Sequence, residues 1–460
     1  MVKAQRSRAV PDEAPAVPGD ATARPHRAIA RLAVPAFLTL VAEPLFLLAD
    51  SAIVGHLGTA QLAGLGVASA ALLTAANIFV FLAYGTTSLV ARQLGAGRPD
   101  AALSAGLDGV WLASGLGLVS GGLTAAFARP ICALFGASAA ALDHATTYLR
   151  ISAIGIPAML VLLATTGVLR GFQDTRTPLV AATLGFTANI ALNLVLVYPA
   201  GLGIAGSALG TVIAQTGMAG GLLWVVLRKA RTSAATLRPH PGRVLRAALG
   251  GMPLLVRTLA LRAAMLLTTW VAAGLGDVPL AAHQVALTVF GFLAFALDAL
   301  AIAGQALTGA SLGAGDVEGT RAATRVMLWW GWWGGVVLGL LVLAVHRVLP
   351  ALFTPDPAVR DALAVALLVL ALGQPIAGLV FVLDGVLIGA GDGLALAVVQ
   401  VGVLVAYLPV LLVVRANAPD DAVAALQLLW WSFTAFMAFR LVALWLRART
   451  DRWLVTGAAA

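Results

Sequence analysis

Polar and apolar positions in this chain segregate into long blocks. Nearly uncharged stretches alternate with short polar turns, a period far beyond that of a strand or a surface helix. A helix needs about 20 apolar residues to match the hydrocarbon core of a bilayer. Twelve stretches meet that length, near 30–56, 62–91, 102–128, 145–169, 177–199, 203–227, 248–274, 280–311, 322–346, 362–390, 393–414 and 424–447. In lipid each backbone N–H and C=O must be satisfied within its own segment, so the pattern predicts an all-α polytopic membrane protein.

A second regularity lies above the helices, an internal repeat at a constant offset of 218 residues. LGAG at 94–97 recurs at 312–315, Leu57-Gly58 as Leu275-Gly276, ALF at 133–135 as 351–353, and Pro157 as Pro375. GVLRGFQD at 167–174 stands opposite GVLIGAGD at 385–392. Single matches are common in Ala/Gly/Leu-rich sequence; a shared gapless offset is not. Six spans per half make the halves parallel repeats related by a pseudo-two-fold axis along the membrane normal. The expected organisation is a disordered tail (1–29), an N-lobe (30–228), a cytoplasmic linker (229–246), a C-lobe (247–448) and a C-terminal tail (449–460).

Composition agrees with this reading. Sixty per cent of residues are hydrophobic and 11% charged, with a mean hydropathy of +0.96. A soluble domain carries about 25% charged residues. The net charge of +9 would suggest nucleic acid but for its placement. Of 29 Lys and Arg, 21 fall in the termini, the even-numbered loops and the span ends beside them, four in odd-numbered loops and four deeper inside spans. That is the positive-inside pattern, with both termini and the linker cytoplasmic and no nucleic-acid partner expected. The single cysteine, Cys132, excludes an internal disulfide and any metal site built on cysteines.

Ionisable groups at membrane depth are costly and mark function by default. Asp50 lies in the outer half of the first span with no basic residue near it in sequence, and such a carboxyl can take up and release a proton. Glu43, seven residues earlier, shares its helix face and suits attraction of a cationic substrate. Pro35 removes one hydrogen bond and lets the first span bend. In the second half Arg257, Arg262, Asp298 and Asp384 sit at matching depths, Arg257 with Asp384 and Arg262 with Asp298, as a paired and neutral network.

EPLFLLADSAIVGHLG (43–58), GFQDTRTPL (171–179), NIALNLVLVYPAGLGIAGSALGTVIAQ (189–215), LDALAIAGQAL (297–307) and VLDGVLIGAGD (382–392) resemble the multidrug and toxic compound extrusion (MATE) family, in its DinF-like branch. The resemblance spans roughly residues 30 to 450. It implies a twelve-helix antiporter of the bacterial inner membrane that exports organic compounds against a proton or sodium gradient by rocking of the two lobes. It also implies that Asp50 is the coupling aspartate, that Pro35 is a helix kink, and that Tyr148, Asn189, Asn193 and Thr211 surround the acid. The chain departs from a common family pattern at Asn193, where a second acid is usual. The resulting expectation is proton coupling, with sodium the alternative. No cofactor or metal is expected, the protein is expected to be a monomer, and its substrates are expected to be cationic or amphipathic. A specific metabolite or organic acid, or a lipid-linked precursor, is the alternative cargo. His-Glu-x-x-His does not occur, the one Gly-x-Ser-x-Gly match (GASLG, 309–313) lies at the end of an apolar span and not at a strand-to-helix turn, and no enzyme activity is expected.

Overall fold

A computed structural model describes residues 25–136 and 138–458, the side chain of Glu43 excepted. Every regular element among them is helical. The N-lobe comprises α1 (Pro25–Gly55), α2 (Thr59–Phe79), α3 (Phe81–Gly95), α4 (Pro99–Ala126), the short α5 (Ala128–Ala133), α6 (Ala139–Ala153), α7 (Ile156–Gly171), α8 (Arg176–Val197) and α9 (Gly203–Arg231). The C-lobe comprises α10 (Pro241–Gly274), α11 (Asp277–Gly313), α12 (Val317–Val345), the single turn α13 (Pro350–Phe353), α14 (Pro357–Gly389), α15 (Gly393–Ala416) and α16 (Ala422–Arg449). Among the described residues eleven stretches are long and apolar enough to cross a membrane, α2 and α3 counting as one. The twelfth is the pair α6 and α7, bent by 52°. The break falls just before Pro157, whose ring clashes with the preceding helical turn.

The 218-residue offset is also an offset of contacts. A Cβ at Gly95 would collide with the carbonyl oxygen of Ala310, and one at Gly313 with that of Arg92; both pairs stand 218 apart. Gly117 against Pro157 Cα (2.5 Å) is repeated by Gly335 against Pro375 Cα (2.7 Å). Gly121 against Ala153 O (2.7 Å) is repeated by Gly339 against Ala371 O (2.5 Å). Glycines at these crossings let backbones approach where lipid offers no hydrophobic drive for helix association. The LGAG segments are where α3 and α11, one from each lobe, cross beside the two-fold axis. α1 bridges the lobes as well, packing on α8 of its own lobe and on α11 of the other.

Three boundaries differ from those predicted. Residues 1–24 of the expected tail lie outside the described residues, but 25–29 belong to α1 and Ile29 is buried. The linker is shorter, 232–240, because α9 continues through Arg228, Lys229 and Arg231. Charge ends an apolar run without ending a helix. The linker is docked on α4, with Thr236 N donating to Ser104 Oγ (3.0 Å) and Trp111 Nε1 to Leu237 O (3.2 Å). An ion pair between Arg243 and Asp108 (2.9 Å) ties α10 to α4 beside it.

The C-terminal segment is likewise built into the fold. Trp453 is buried, and Gly457 N donates to Leu312 O at the end of α11 (3.0 Å). Arg92, at the end of α3, donates to Ala390 O (2.5 Å), to Gly457 O (3.3 Å) and to Val455 O. Gln93 Nε2 reaches Ala458 O (3.0 Å). One segment thus closes the lobes together on the face that carries the linker.

Candidate functional site

Two acids are buried in the N-lobe: Asp108, paired with Arg243, and Asp50, which faces an array of neutral donors. α1 starts on the linker face, so Asp50, five residues before its end, lies toward the opposite face. α1 runs unbroken through Pro35, and Thr39 Oγ1 caps the carbonyl of Pro35 (2.8 Å). Asn189 and Asn193 stand one turn apart on α8, as do Ser207 and Thr211 on α9, so two stacked pairs face α1. Asp50 is 2% exposed. Its Oδ1 accepts from Asn193 Nδ2 (2.9 Å) and Ser207 Oγ (2.5 Å), and its Oδ2 from Tyr148 on α6 (3.1 Å). Asn193 Nδ2 also reaches Asn189 Oδ1 (3.0 Å), and Asn189 Nδ2 reaches Thr211 Oγ1 (3.1 Å).

The structure therefore brings Asp50, Tyr148, Asn189, Asn193 and Thr211 together. It adds two residues that sequence reasoning missed. Ser207, fully buried, makes the shortest contact to the acid; its place one turn before Thr211 was the available signal. Gly210 is the other, since a Cβ there would occupy the position of Asn193 Oδ1. No basic side chain pairs with Asp50 among the described residues. The side chain of Glu43 lies outside the described residues.

The C-lobe polar groups are arranged differently from the expected neutral pairs. Arg257 and Asp384 do meet, Nη2 to Oδ2 at 2.7 Å and Nε to Oδ1 at 3.4 Å. A third member, Arg440 on α16, donates to the same Oδ2, so one carboxylate holds two guanidiniums. All three are buried. Sequence reasoning counted Arg440 within its span but did not place it with the acid, because the α14·α16 packing is not legible in a linear pattern. Arg262 and Asp298 do not form the expected pair. Asp298 accepts instead from Tyr84 of the N-lobe, at 3.3 Å to each oxygen, and Arg262 is exposed with no ion pair. This cluster lies toward the linker face, with Asp384 five residues from the end of α14.

The two arrangements permit different chemistry. A hydroxyl can donate or accept, whereas an amide NH2 only donates. Tyr148 and Ser207 can thus serve Asp50 either charged or protonated by turning their O–H groups, and only the Asn193 bond requires an unprotonated oxygen. Asp384, bonded to two guanidiniums, has no such freedom.

The MatE family model matches residues 35–195 and 253–413, two segments that also stand 218 apart. Protein DETOXIFICATION 44, chloroplastic, of Arabidopsis thaliana is 33% identical over 92% of this chain and 83% of its own length. DNA damage-inducible protein F of Escherichia coli (strain K12) is 30% identical over 92% of each chain. A solved structure of a MOP superfamily transporter from Pyrococcus furiosus superposes with a TM-score of 0.84 at 22% identity, covering 95% of this chain and 98% of that one.

Proposed function

Because the chain belongs to the MATE family of multidrug and toxic compound efflux transporters, we propose that it exports organic compounds in exchange for protons, with Asp50 as the group that carries them. It is a multi-pass membrane protein and not an enzyme. The observation that carries the coupling proposal is a carboxyl buried in the N-lobe, served by three neutral donors and no cation. A proton neutralises such a carboxyl without calling for further ligands, which favours it over sodium.

The packing supports a route from that proton to the lobes. α1 touches α8 on one side and α11 of the opposite lobe on the other. Gain or loss of the proton changes the bonds that hold Asp50 to α6, α8 and α9, and so biases how α1 seats against the C-lobe. Pro35, between Asp50 and the linker face, supplies a point where α1 yields. Rocking about the two-fold axis would then open one face while closing the other, an equilibrium that each ligand shifts through its differential affinity for the two states. The Lys and Arg distribution supports a cytoplasmic linker face, which is the face closed by α3, α11 and the C-terminal segment.

The test is substrate-dependent proton movement in everted vesicles. Asp50→Asn is expected to abolish pH-gradient-driven transport while the purified protein stays folded and binds its substrate. Undiminished gradient-driven transport by that variant would remove Asp50 from the coupling role. Transport that stays absent until sodium is added would replace the proton by sodium.

A further inference from the structure

Both lobes end in basic residues on the linker face, and only the C-lobe pairs one of them with an acid there. Lys229, at the end of α9, corresponds at the 218-residue offset to Arg447 at the end of α16. Asp392 holds the Arg447 guanidinium with both of its oxygens, at 2.6 and 2.9 Å. Its counterpart Asp174 is engaged with α8 instead, accepting from Thr177 N (2.9 Å) and Thr177 Oγ1 (2.6 Å). Arg228, where the C-lobe has Leu446, and Arg231 add two more charges beside Lys229. Arg228, Lys229 and Arg231 make no ion pair among the described residues.

These charges stand above an apolar step. Leu222, Val226 and Ala230 are buried and form the face that α9 packs on the bundle. Trp224, Leu227, Arg228 and Arg231, at spacings of three and four, form a stripe on the other side. Trp224 is 62% exposed, and the Arg228 guanidinium lies over its ring, 5.6 Å from the centroid. With Thr232 these four residues line a hollow of about 190 Å³. Lys229 Nζ lies instead over the Phe172 ring, 5.6 Å from its centroid. A lipid-facing tryptophan followed by the first basic residues of a span marks the level of the headgroups. The hollow therefore offers apolar surface on its membrane side and guanidiniums on its aqueous side.

We propose that this hollow binds an anionic phospholipid of the phosphatidylglycerol type. Its phosphate bridges Arg228 and Arg231, and its glycerol and first acyl carbons lie on Trp224 and Leu227. A guanidinium can meet two phosphate oxygens at once, and each basic residue at the membrane surface adds to the attraction of anionic lipid. Phosphatidylethanolamine brings its own ammonium and gains far less from three cations. The matching end of the C-lobe has Leu446 in place of Arg228 and engages Arg447 with Asp392, so the site belongs to the N-lobe alone. The bound lipid holds the junction of α9 and the linker at the membrane surface.

The experiment is native mass spectrometry of the purified full-length protein, delipidated in detergent and titrated with dioleoyl phosphatidylglycerol or dioleoyl phosphatidylethanolamine. The parent is expected to retain a first phosphatidylglycerol more tightly than phosphatidylethanolamine. Arg228→Gln with Arg231→Gln is expected to weaken that first binding step by about tenfold or more, as loss of charge-assisted hydrogen bonds does. Arg449→Gln, a charge removed at the matching end of the C-lobe, is expected to leave it unchanged. Arg228 and Arg231 have no acidic partner, so the lipid-free double variant is expected to unfold at the parent's temperature. Added phosphatidylglycerol is expected to raise that temperature for the parent alone. The proposal is overturned by equal retention of the two lipids, by retention indifferent to the double change, or by the same weakening from Arg449→Gln. Displacement by an equal concentration of glycerol 3-phosphate would also overturn it, since it would mark a site for a free phosphate ester. None of these measurements involves transport, so failure here leaves the efflux reading and its proton coupling standing.

Discussion

The two lobes share a backbone and have opposite polar inventories. Asp50 corresponds, 218 residues on, to Thr268, and Asn189 to Tyr407. Thr268 and Tyr407 hydrogen-bond each other (3.0 Å), and Tyr407 reaches Ser432 (3.3 Å), so the C-lobe has kept a polar chain in that place and removed the acid. The exchange runs the other way nearer the linker face. Arg257, Asp384 and Arg440 correspond to Thr39, Thr166 and Leu222, none of them charged. The glycines at helix crossings recur in both halves because they set backbone distance. The charges do not recur because each lobe does one task. The N-lobe holds an acid with no counter-charge, suited to changing state. The C-lobe holds an acid with two counter-charges, suited to staying as it is.

The sharpest way to break that contrast is to neutralise each acid and compare stabilities. Asp384→Asn would leave two buried guanidiniums without a counter-charge, and losing one partner of a buried ionic group costs about 3–5 kcal/mol. Asp50→Asn removes a charge that has no cationic partner and is expected to change stability far less. Arg440→Gln should also be mild, since Asp384 keeps Arg257. Denaturant unfolding in detergent reads all three. Equal losses for Asp50→Asn and Asp384→Asn would remove the distinction between a switching lobe and a fixed one. Because Arg440 shares the acid, the double change Arg257→Gln with Asp384→Asn should recover only part of the loss, and adding Arg440→Gln should recover more.

This triad also marks where the sequence stops being legible. Span number and lobe organisation were readable because lipid imposes a length on apolar runs and a gene-level repeat leaves a fixed offset. The surroundings of Asp50 were readable only through family resemblance, and Ser207 escaped because a buried serine looks like any other small residue in a Gly/Ala-rich helix. Depth matching located the Arg257–Asp384 contact but paired Arg262 with Asp298 wrongly. Depth is a one-dimensional coordinate, and which helix faces which is not contained in it. The docking of the C-terminal tail was not legible because its bonds go through backbone carbonyls, which carry no sequence signature.

A smaller effect is expected from that C-terminal segment, which belongs to one side of the repeat alone. Arg92 corresponds to Ala310, so at this position the N-lobe alone offers a guanidinium to hold the closing segment. Deleting residues 454–460 would remove the acceptors at Val455 and Gly457 that hold Arg92 to this segment. Hydrogen bonds to a charged group contribute about 1.5–3 kcal/mol each, reduced here by access to water. The expected outcome is a modest loss of thermal stability and a shift toward states open at the linker face. Faster labelling of a cysteine introduced at Ala310, in a Cys132→Ala background, reads that shift. Unchanged labelling would mean that the glycine crossing of α3 and α11 closes this face unaided.

The finest test compares two buried serines, one beside the acid of the N-lobe and one in the polar chain of the C-lobe, where it also donates to Leu429 O (2.6 Å). Ser207 donates to the carboxyl of Asp50 (2.5 Å), and Ser432 lies against the neutral hydroxyl of Tyr407 (3.3 Å); both are buried. Either serine changed to alanine loses one oxygen and little volume. A hydrogen bond between neutral groups contributes about 0.5–1.5 kcal/mol, and one to a charged group about 1.5–3 kcal/mol. If the resting state carries Asp50 as a carboxylate, Ser207→Ala should cost about 1 kcal/mol more than Ser432→Ala. Thermal unfolding of the two variants at the same pH measures the difference. A difference of zero would mean that Asp50 already holds its proton in the resting state, with Ser207 turned to accept it. Repeating the pair in an Asp50→Asn background decides the matter, because there the charge is gone and the two serines should become equivalent whatever the resting state was.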